Sequence, residues 1–193
     1  MTSEEAVAAV IDVLEELPIP YLLVGAFASN AYCVPRATND ADFVLTLQPG
    51  QLTSFVAQIG PEFRLNRQVL FETLTLTKRH ELVHLPTRFM IELFRQGDDA
   101  HHAEQFRRRR RQFITELQRS VWIPSAEDVL IQKLRWQRSK DIDDVKGVIA
   151  VCGESLDWDY VNHWANQHGT MELLHQVRES LPNFDGLDDD SNA

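Results

Sequence analysis

Cysteine is scarce, with two residues, Cys33 and Cys152, in a chain of 193. They lie far apart and neither has a metal-ligand partner at short spacing, which excludes a disulfide framework and points to a reducing cytoplasm. Long apolar runs are missing. No stretch approaches the ~18 residues that a membrane span needs, so no membrane partner is expected. The N-terminus, MTSEEAVAAVIDVLEEL, lacks the basic start of a signal peptide and reads as an acidic amphipathic helix. Positive charge is in deficit, 19 Lys and Arg against 29 Asp and Glu, a net charge of −10. That argues against general nucleic-acid affinity, because neutralising phosphates needs clustered cations. The seven histidines are scattered. His101 and His102 are adjacent rather than at i,i+4 spacing, a poor zinc pair. There is no internal repeat and no low-complexity segment.

What is present supports a real core, with 44% hydrophobic residues. Val7, Val10, Ile11 and Leu14 have helical spacing, and Pro18 and Pro20 end that helix. Tyr21 to Val24 reads as a short buried strand. Gly25 breaks it, and Ala26 to Tyr32 reads as a helix. Asp42 to Leu47 is a second strand, ended by Pro49-Gly50, and residues 51–59 form a short helix. From 62 to 94 strands are expected: Val69 to Thr77 (with Leu70, Leu74 and Leu76 alternating), Glu81 to Leu85, and Arg88 to Phe94. Gly97-Asp98-Asp99 leads to a helix or extended arm that carries Arg107 to Arg111. That basic run reads as a solvated face, with nucleic-acid contact as the lesser alternative. Trp122-Ile123-Pro124 looks like a strand end. Ser125 and Asp128 have capping-box spacing, and the rest is helical: through Trp136, over Asp141 to Val151, 157–167 and 170–180. The chain divides into an α/β core, 1–124, and a helical cap or bundle, 125–193, with an acidic tail at Asp185, Asp188, Asp189 and Asp190. The four tryptophans are most simply core or helix-contact residues.

The chemistry concentrates in Val24-Gly25-Ala26 and in Arg36-Ala37-Thr38-Asn39-Asp40-Ala41-Asp42. Side chains alternate across a strand, so Asp40 and Asp42 share a face. Two carboxylates that close repel, and a divalent cation between them removes the penalty. Magnesium, or manganese, suits a site of few carboxylates completed by water and phosphate oxygens. Glu92 stands in the apolar strand Phe89-Met90-Ile91-Glu92-Leu93-Phe94, where an ionised carboxylate is costly unless paired or metal-bound. Beside Asp40 and Asp42 it would complete a three-carboxylate metal site able to clamp an in-line phosphoryl displacement. Glu81 and Glu72 are the alternatives under a different register. Gly25 follows a strand and opens a helix, whose free N–H groups suit a triphosphate.

This arrangement of strand, small-residue pair, helix, R-x-T-x-D-x-D and later strand carboxylate resembles the nucleotidyltransferase superfamily of DNA polymerase beta. The closer resemblance is to the bacterial AbiEii-like and uncharacterised nucleotidyltransferase-like proteins. The helical half carries the likeness further, in Pro124 to Asp128, Lys133-Leu134, Lys140-Asp141 to Asp144-Val145, Leu156-Asp157 to Tyr160, and Trp164-Ala165. The resemblance covers most of residues 20–170. It implies an α/β (α+β) nucleotidyltransferase fold with a small mixed sheet and a C-terminal helical half. It also implies metal on Asp40, Asp42 and Glu92, which with Asp144 would be the catalytic carboxylates. Asp144, or the nearby Asp141, would assist the attacking hydroxyl. Nucleotide contacts would come from Gly25, Ala26, Ser29, Arg36, Thr38 and Lys133.

The chain departs from the family at one position, where the usual Gly-Ser or Gly-Gly is Gly25-Ala26. The backbone donors survive and a serine hydroxyl is lost. Bland readings stand beside these roles: Lys133 on a solvated helix face, Asp141, Asp143 and Asp144 at a helix start, and Arg36 paired to a nearby aspartate. The expected function is transfer of a nucleotidyl group from an NTP to a hydroxyl of RNA, protein or a small molecule. A link to toxin–antitoxin or phage-defence systems goes with it. The alternative is a degenerate member acting as an antitoxin-like or regulatory module, with a partner protein from an adjacent gene.

Overall fold

The computed structural model describes residues 1–72 and 76–181. Leu74 and the acidic tail lie outside the described residues. Helix α1 (Ser3–Glu16) starts on a capping box: the Thr2 hydroxyl accepts from Glu5 N–H at 3.2 Å, and the Glu5 carboxylate accepts from Thr2 N–H at 2.7 Å. Its buried stripe is Ala6, Val7, Val10, Ile11 and Leu14, the i, i+3, i+4, i+7 spacing of an amphipathic helix.

Six strands make one mixed sheet, β1 (Tyr21–Val24), β2 (Asp40–Leu45), β3 (Phe63–Leu65), β4 (Leu70–Phe71), β5 (Lys78–His84) and β6 (Phe89–Arg95). The order is β1-β2-β6-β5-β3, with β4 pairing β5. Strands β2 and β6 run parallel at the centre, and the other pairs are antiparallel. Strand β2 begins at Asp40, two residues before the start read from the sequence, because Asp40 and Ala41 already pair with Met90 and Ile91. The long strand expected over Val69 to Thr77 is, among the described residues, the pair Leu70–Phe71, and β5 starts at Lys78 rather than Glu81.

Alternation sorts the two central strands. Ala41, Phe43 and Leu45, with Ile91 and Leu93, are almost fully buried and face the core. Asp40, Asp42 and Val44, with Met90, Glu92 and Phe94, face the other way. Burying each large apolar side chain stabilises the fold by about 1.5–3 kcal/mol. Helices α2 (Gly25–Asn30) and α3 (Gln51–Ile59) connect the early strands. After β6 come α4 (Ala100–Arg108) and a hairpin of β7 (Arg110–Ile114) and β8 (Arg119–Ile123). Four helices complete the described chain: α5 (Ala126–Trp136), α6 (Ser139–Cys152), α7 (Trp158–Gln167) and α8 (Met171–Glu179). The Ser125 hydroxyl caps α5 by accepting from Asp128 N–H. One contiguous core includes α1, the central strands, β8 and buried faces of α5 to α8. No helix among the described residues is long and apolar enough to cross a membrane.

The arginine run is divided among structural partners. Arg107 pairs with Glu104, Arg108 with Glu127, and Arg111 with Glu15. The Arg108 guanidinium also lies 3.9 Å from the Tyr160 ring centre, and that of Arg109 4.9 Å from the Trp122 ring.

Candidate active site

A cleft opens on the polar side of the central strands. Gly25, Ala26, Arg36, Thr38, Asp40, Asp42, Glu92 and Lys133 all line it. Its floor follows from strand register. Asp42 lies opposite Glu92 on the parallel pair and opposite Val24 on β1, so Gly25 emerges beside the carboxylates. Gly25 has a φ of +64°, and a Cβ there would sit 2.1 Å from Asp42 Oδ2. Both the left-handed backbone and the contact demand glycine. No side chain caps the start of α2, and its first residues, Gly25 and Ala26, line the cleft.

Asp42 and Glu92 stand directly opposite each other across the parallel β2–β6 pair. Burial first, then the charges of Asp40 and Glu92, push the Asp42 carboxyl up to about 7. Glu92 is also ion-paired with Arg79. Asp40 is on the same strand face but turned toward Thr38, whose hydroxyl donates to Asp40 Oδ1 at 2.7 Å. Asp42 and Glu92 are therefore neighbours by register, with Asp40 on the same strand face and engaged by Thr38. Of the alternative third carboxylates, Glu81 is opposite Glu92 on β5 and accepts from Asn66, and Glu72 lines the cleft wall.

Behind the opposite wall runs a chain of alternating charges. Arg36 donates through Nε and a terminal nitrogen to both oxygens of Asp144, at 2.8 and 2.9 Å. Lys133 Nζ lies 2.6 Å from Asp144 and 3.2 Å from Asp141. Arg138 Nε reaches Asp141 Oδ2 at 2.5 Å. Burial pushes the Asp144 carboxyl up, but the bonds from Arg36 and Lys133 more than offset this and hold it down at about 2. Lys133 is 3% exposed, so it is not a solvated helix lysine. Asp144 is equally buried and stands behind the cleft surface. Ser29 is fully buried beneath it, and its hydroxyl meets the Gly25 and Ala26 carbonyls and Asp144 Oδ2 at 3.2 to 3.3 Å.

Sequence reasoning missed Phe71, Arg79, Phe94, Trp136, Arg138 and Lys140, which also line the cleft. The cluster Arg138-Ser139-Lys140 just before an aspartate-rich helix was the available signal. Arg79 becomes visible only once β5 is paired with β6.

Order, mixed sheet and helices define a nucleotidyltransferase fold, and comparison with solved structures agrees. The crystal structure of ANT(2'')-Ia in complex with adenylyl-2''-tobramycin superposes with a TM-score of 0.61 at 15% identity, covering 89% of this chain and 99% of that one. The solution structure of the same antibiotic-resistance factor gives 0.56 at 15%, covering 91% and 97%. An antigenic nucleotidyltransferase-like protein from Paracoccidioides brasiliensis gives 0.52 at 18%, covering 92% of each chain. No protein-family model matches the sequence, and no curated protein matches it.

Proposed function

We propose that this protein is a divalent-metal-dependent nucleotidyltransferase, which moves a nucleotidyl group from an NTP to a hydroxyl acceptor. One observation carries the reading. Asp42 is held directly opposite Glu92 on the cleft face of the central parallel strands, with Asp40 on the same face.

These carboxylates fit a magnesium or manganese ion. Burial and the neighbouring carboxylates raise the Asp42 carboxyl and favour a retained proton there, and a cation is the natural replacement for that proton. Asp40, Asp42 and Glu92 would hold it, Asp40 by turning from Thr38. Such an ion stabilises the charge of an in-line phosphoryl displacement. The remaining work is positioning. Backbone N–H groups at Gly25 and Ala26 would receive phosphate oxygens, and Lys140, with the ion-paired Arg36, Arg79, Lys133 and Arg138, lines the cleft where phosphate charge would collect. Asp144 and Ser29 would act from behind, by fixing Arg36 and Lys133 and by tying down the first turn of α2. Lys133 would reach phosphate only by giving up part of its hold on Asp141 and Asp144.

The ANT(2'')-Ia complex contains an adenylylated small molecule, so a small-molecule hydroxyl is the first acceptor to test, ahead of RNA or protein. Each labelled NTP is incubated with magnesium or manganese and hydroxyl acceptors of all three classes. The expected result is a labelled product of one class that depends on the metal. A second reading, a degenerate module acting through a protein partner in an AbiEii-like toxin–antitoxin or phage-defence setting, is favoured by Ala26 and by the engaged state of Lys133. Co-purification with the product of a neighbouring gene, with no labelled product from any NTP, would establish that reading instead.

A further inference from the structure

We propose that Asp99, His101 and His168 form a zinc site, separate from the cleft, that ties the end of α7 to the connection between β6 and α4. One ligand atom from each lies within 4.8 Å of the others. Asp99 is the N-cap of α4, His101 is in its first turn, and His168 caps the C-terminus of α7. The sequence hides the site because His168 lies almost seventy positions from Asp99 and His101.

The histidines are prepared as ligands. His101 is 0% exposed, and its Nε2 lies 3.1 Å from Asp128 Oδ1. An Nε2–H donated to that carboxylate leaves the lone pair on Nδ1, the arrangement in which a carboxylate orients a metal-bound imidazole. Asp128 is itself fixed by the Tyr160 hydroxyl at 2.7 Å and the Ser125 hydroxyl at 2.9 Å. His101 Nδ1 and His168 Nε2 are both buried atoms without a hydrogen-bond partner. Buried nitrogens are rarely left so, and both belong to histidines that each bring a ring nitrogen within 4.8 Å of the other and of the Asp99 carboxylate. The rings are held by Trp164, which stacks on His168 at 5.6 Å and lies 4.8 Å from His101. Two imidazoles and one carboxylate are a zinc donor set that leaves a fourth position for water.

Arg135 opposes the ion. Its guanidinium donates to Asp99 Oδ2 at 3.0 Å, while Asp99 Oδ1 accepts from the N–H groups of His101 and His102. A carboxylate has about four lone-pair positions, so Asp99 can keep these bonds and still bind. The nearby positive charge limits affinity, and removing it must strengthen the site.

The test uses the full chain carrying Asp42→Ala, which removes the cleft ion from consideration, stripped of metal and titrated with zinc alone. One equivalent binds, the melting temperature rises, and cobalt in place of zinc gives the visible absorption of a tetrahedral site. Adding His168→Phe keeps a ring against Trp164 but removes a ligand. Loss of even an outer-shell partner weakens metal sites roughly tenfold or more, and this change must cost at least that. Adding Arg135→Gln instead tightens binding. No stoichiometric zinc in the Asp42→Ala chain, or undiminished binding after His168→Phe, overturns the proposal.

Discussion

A methyl group at Gly25 would come within 2.1 Å of Asp42 Oδ2. At this scale the site is an arrangement of two residues that exclude one another's alternatives. Gly25→Ala is therefore expected to displace the Asp42 carboxylate and to strain a left-handed backbone. Calorimetric titration with NTP and manganese should show binding lost, while circular dichroism shows the fold retained. Unchanged binding would remove Gly25 from the site. Asp42 also carries a pH signature. Its carboxyl sits near 7, against an ordinary 3.8. In the metal-free protein the folded state keeps a proton that the unfolded chain gives up, so this group's contribution to stability is full below 3.8 and is lost as pH rises through about 7. A divalent ion must displace that proton, so manganese affinity should climb between about pH 5 and 7 and then level off. A flat profile by calorimetry would mean that Asp42 is not a ligand.

Between elements, the charge chain Arg36–Asp144–Lys133–Asp141–Arg138 joins the segment before β2 to α5 and α6. Removing one member of a buried ion network costs about 3–5 kcal/mol, because charges are left behind. Lys133→Met should fall near the low end, since Asp141 and Asp144 each keep an arginine, and urea unfolding measures it. Unchanged stability with weakened NTP binding would instead assign Lys133 to phosphate. Gly147 on α6 is a second constraint, since its Cβ would lie 2.8 Å from that of Cys33. Alanine there gains up to about 1 kcal/mol of helix propensity, yet Gly147→Ala is expected to lower the melting temperature because α6 must back away from Cys33.

Much of the architecture was legible where local chemistry decides it. The run Tyr21 to Val24 broken by Gly25, the cap Ser125, and the amphipathic helices from 126 to 179 are short-range patterns, and the elements lie where those patterns put them. Asp40 and Asp42 share a face by alternation alone. What escaped the sequence depends on pairing at a distance. The sequence places Glu92 with Asp40 and Asp42 only on the condition that their strands are neighbours, and the register that meets it, the placing of Arg79 beside Glu92, and the ion pairs that bury Lys133 each need a partner many residues away. The arginine run was ambiguous for the same reason. Glu15, Glu127 and the rings of Trp122 and Tyr160, which engage it, come from four other segments.

For the whole molecule, we propose that a nucleotidyltransferase fold keeps a working metal site despite Ala26. The missing serine hydroxyl is worth ~1 kcal/mol, roughly fivefold in affinity, too little to silence the reaction. Loss of a metal ligand removes the charge stabilisation itself. The direct measurement is transfer of labelled nucleotide by wild type, Asp42→Ala and Ala26→Ser side by side, each shown to be folded. Transfer that is weak in wild type, absent in Asp42→Ala and raised only a few fold in Ala26→Ser is the predicted result. Equal transfer by Asp42→Ala, or an inert wild type that also fails to bind millimolar NTP with magnesium, would contradict it.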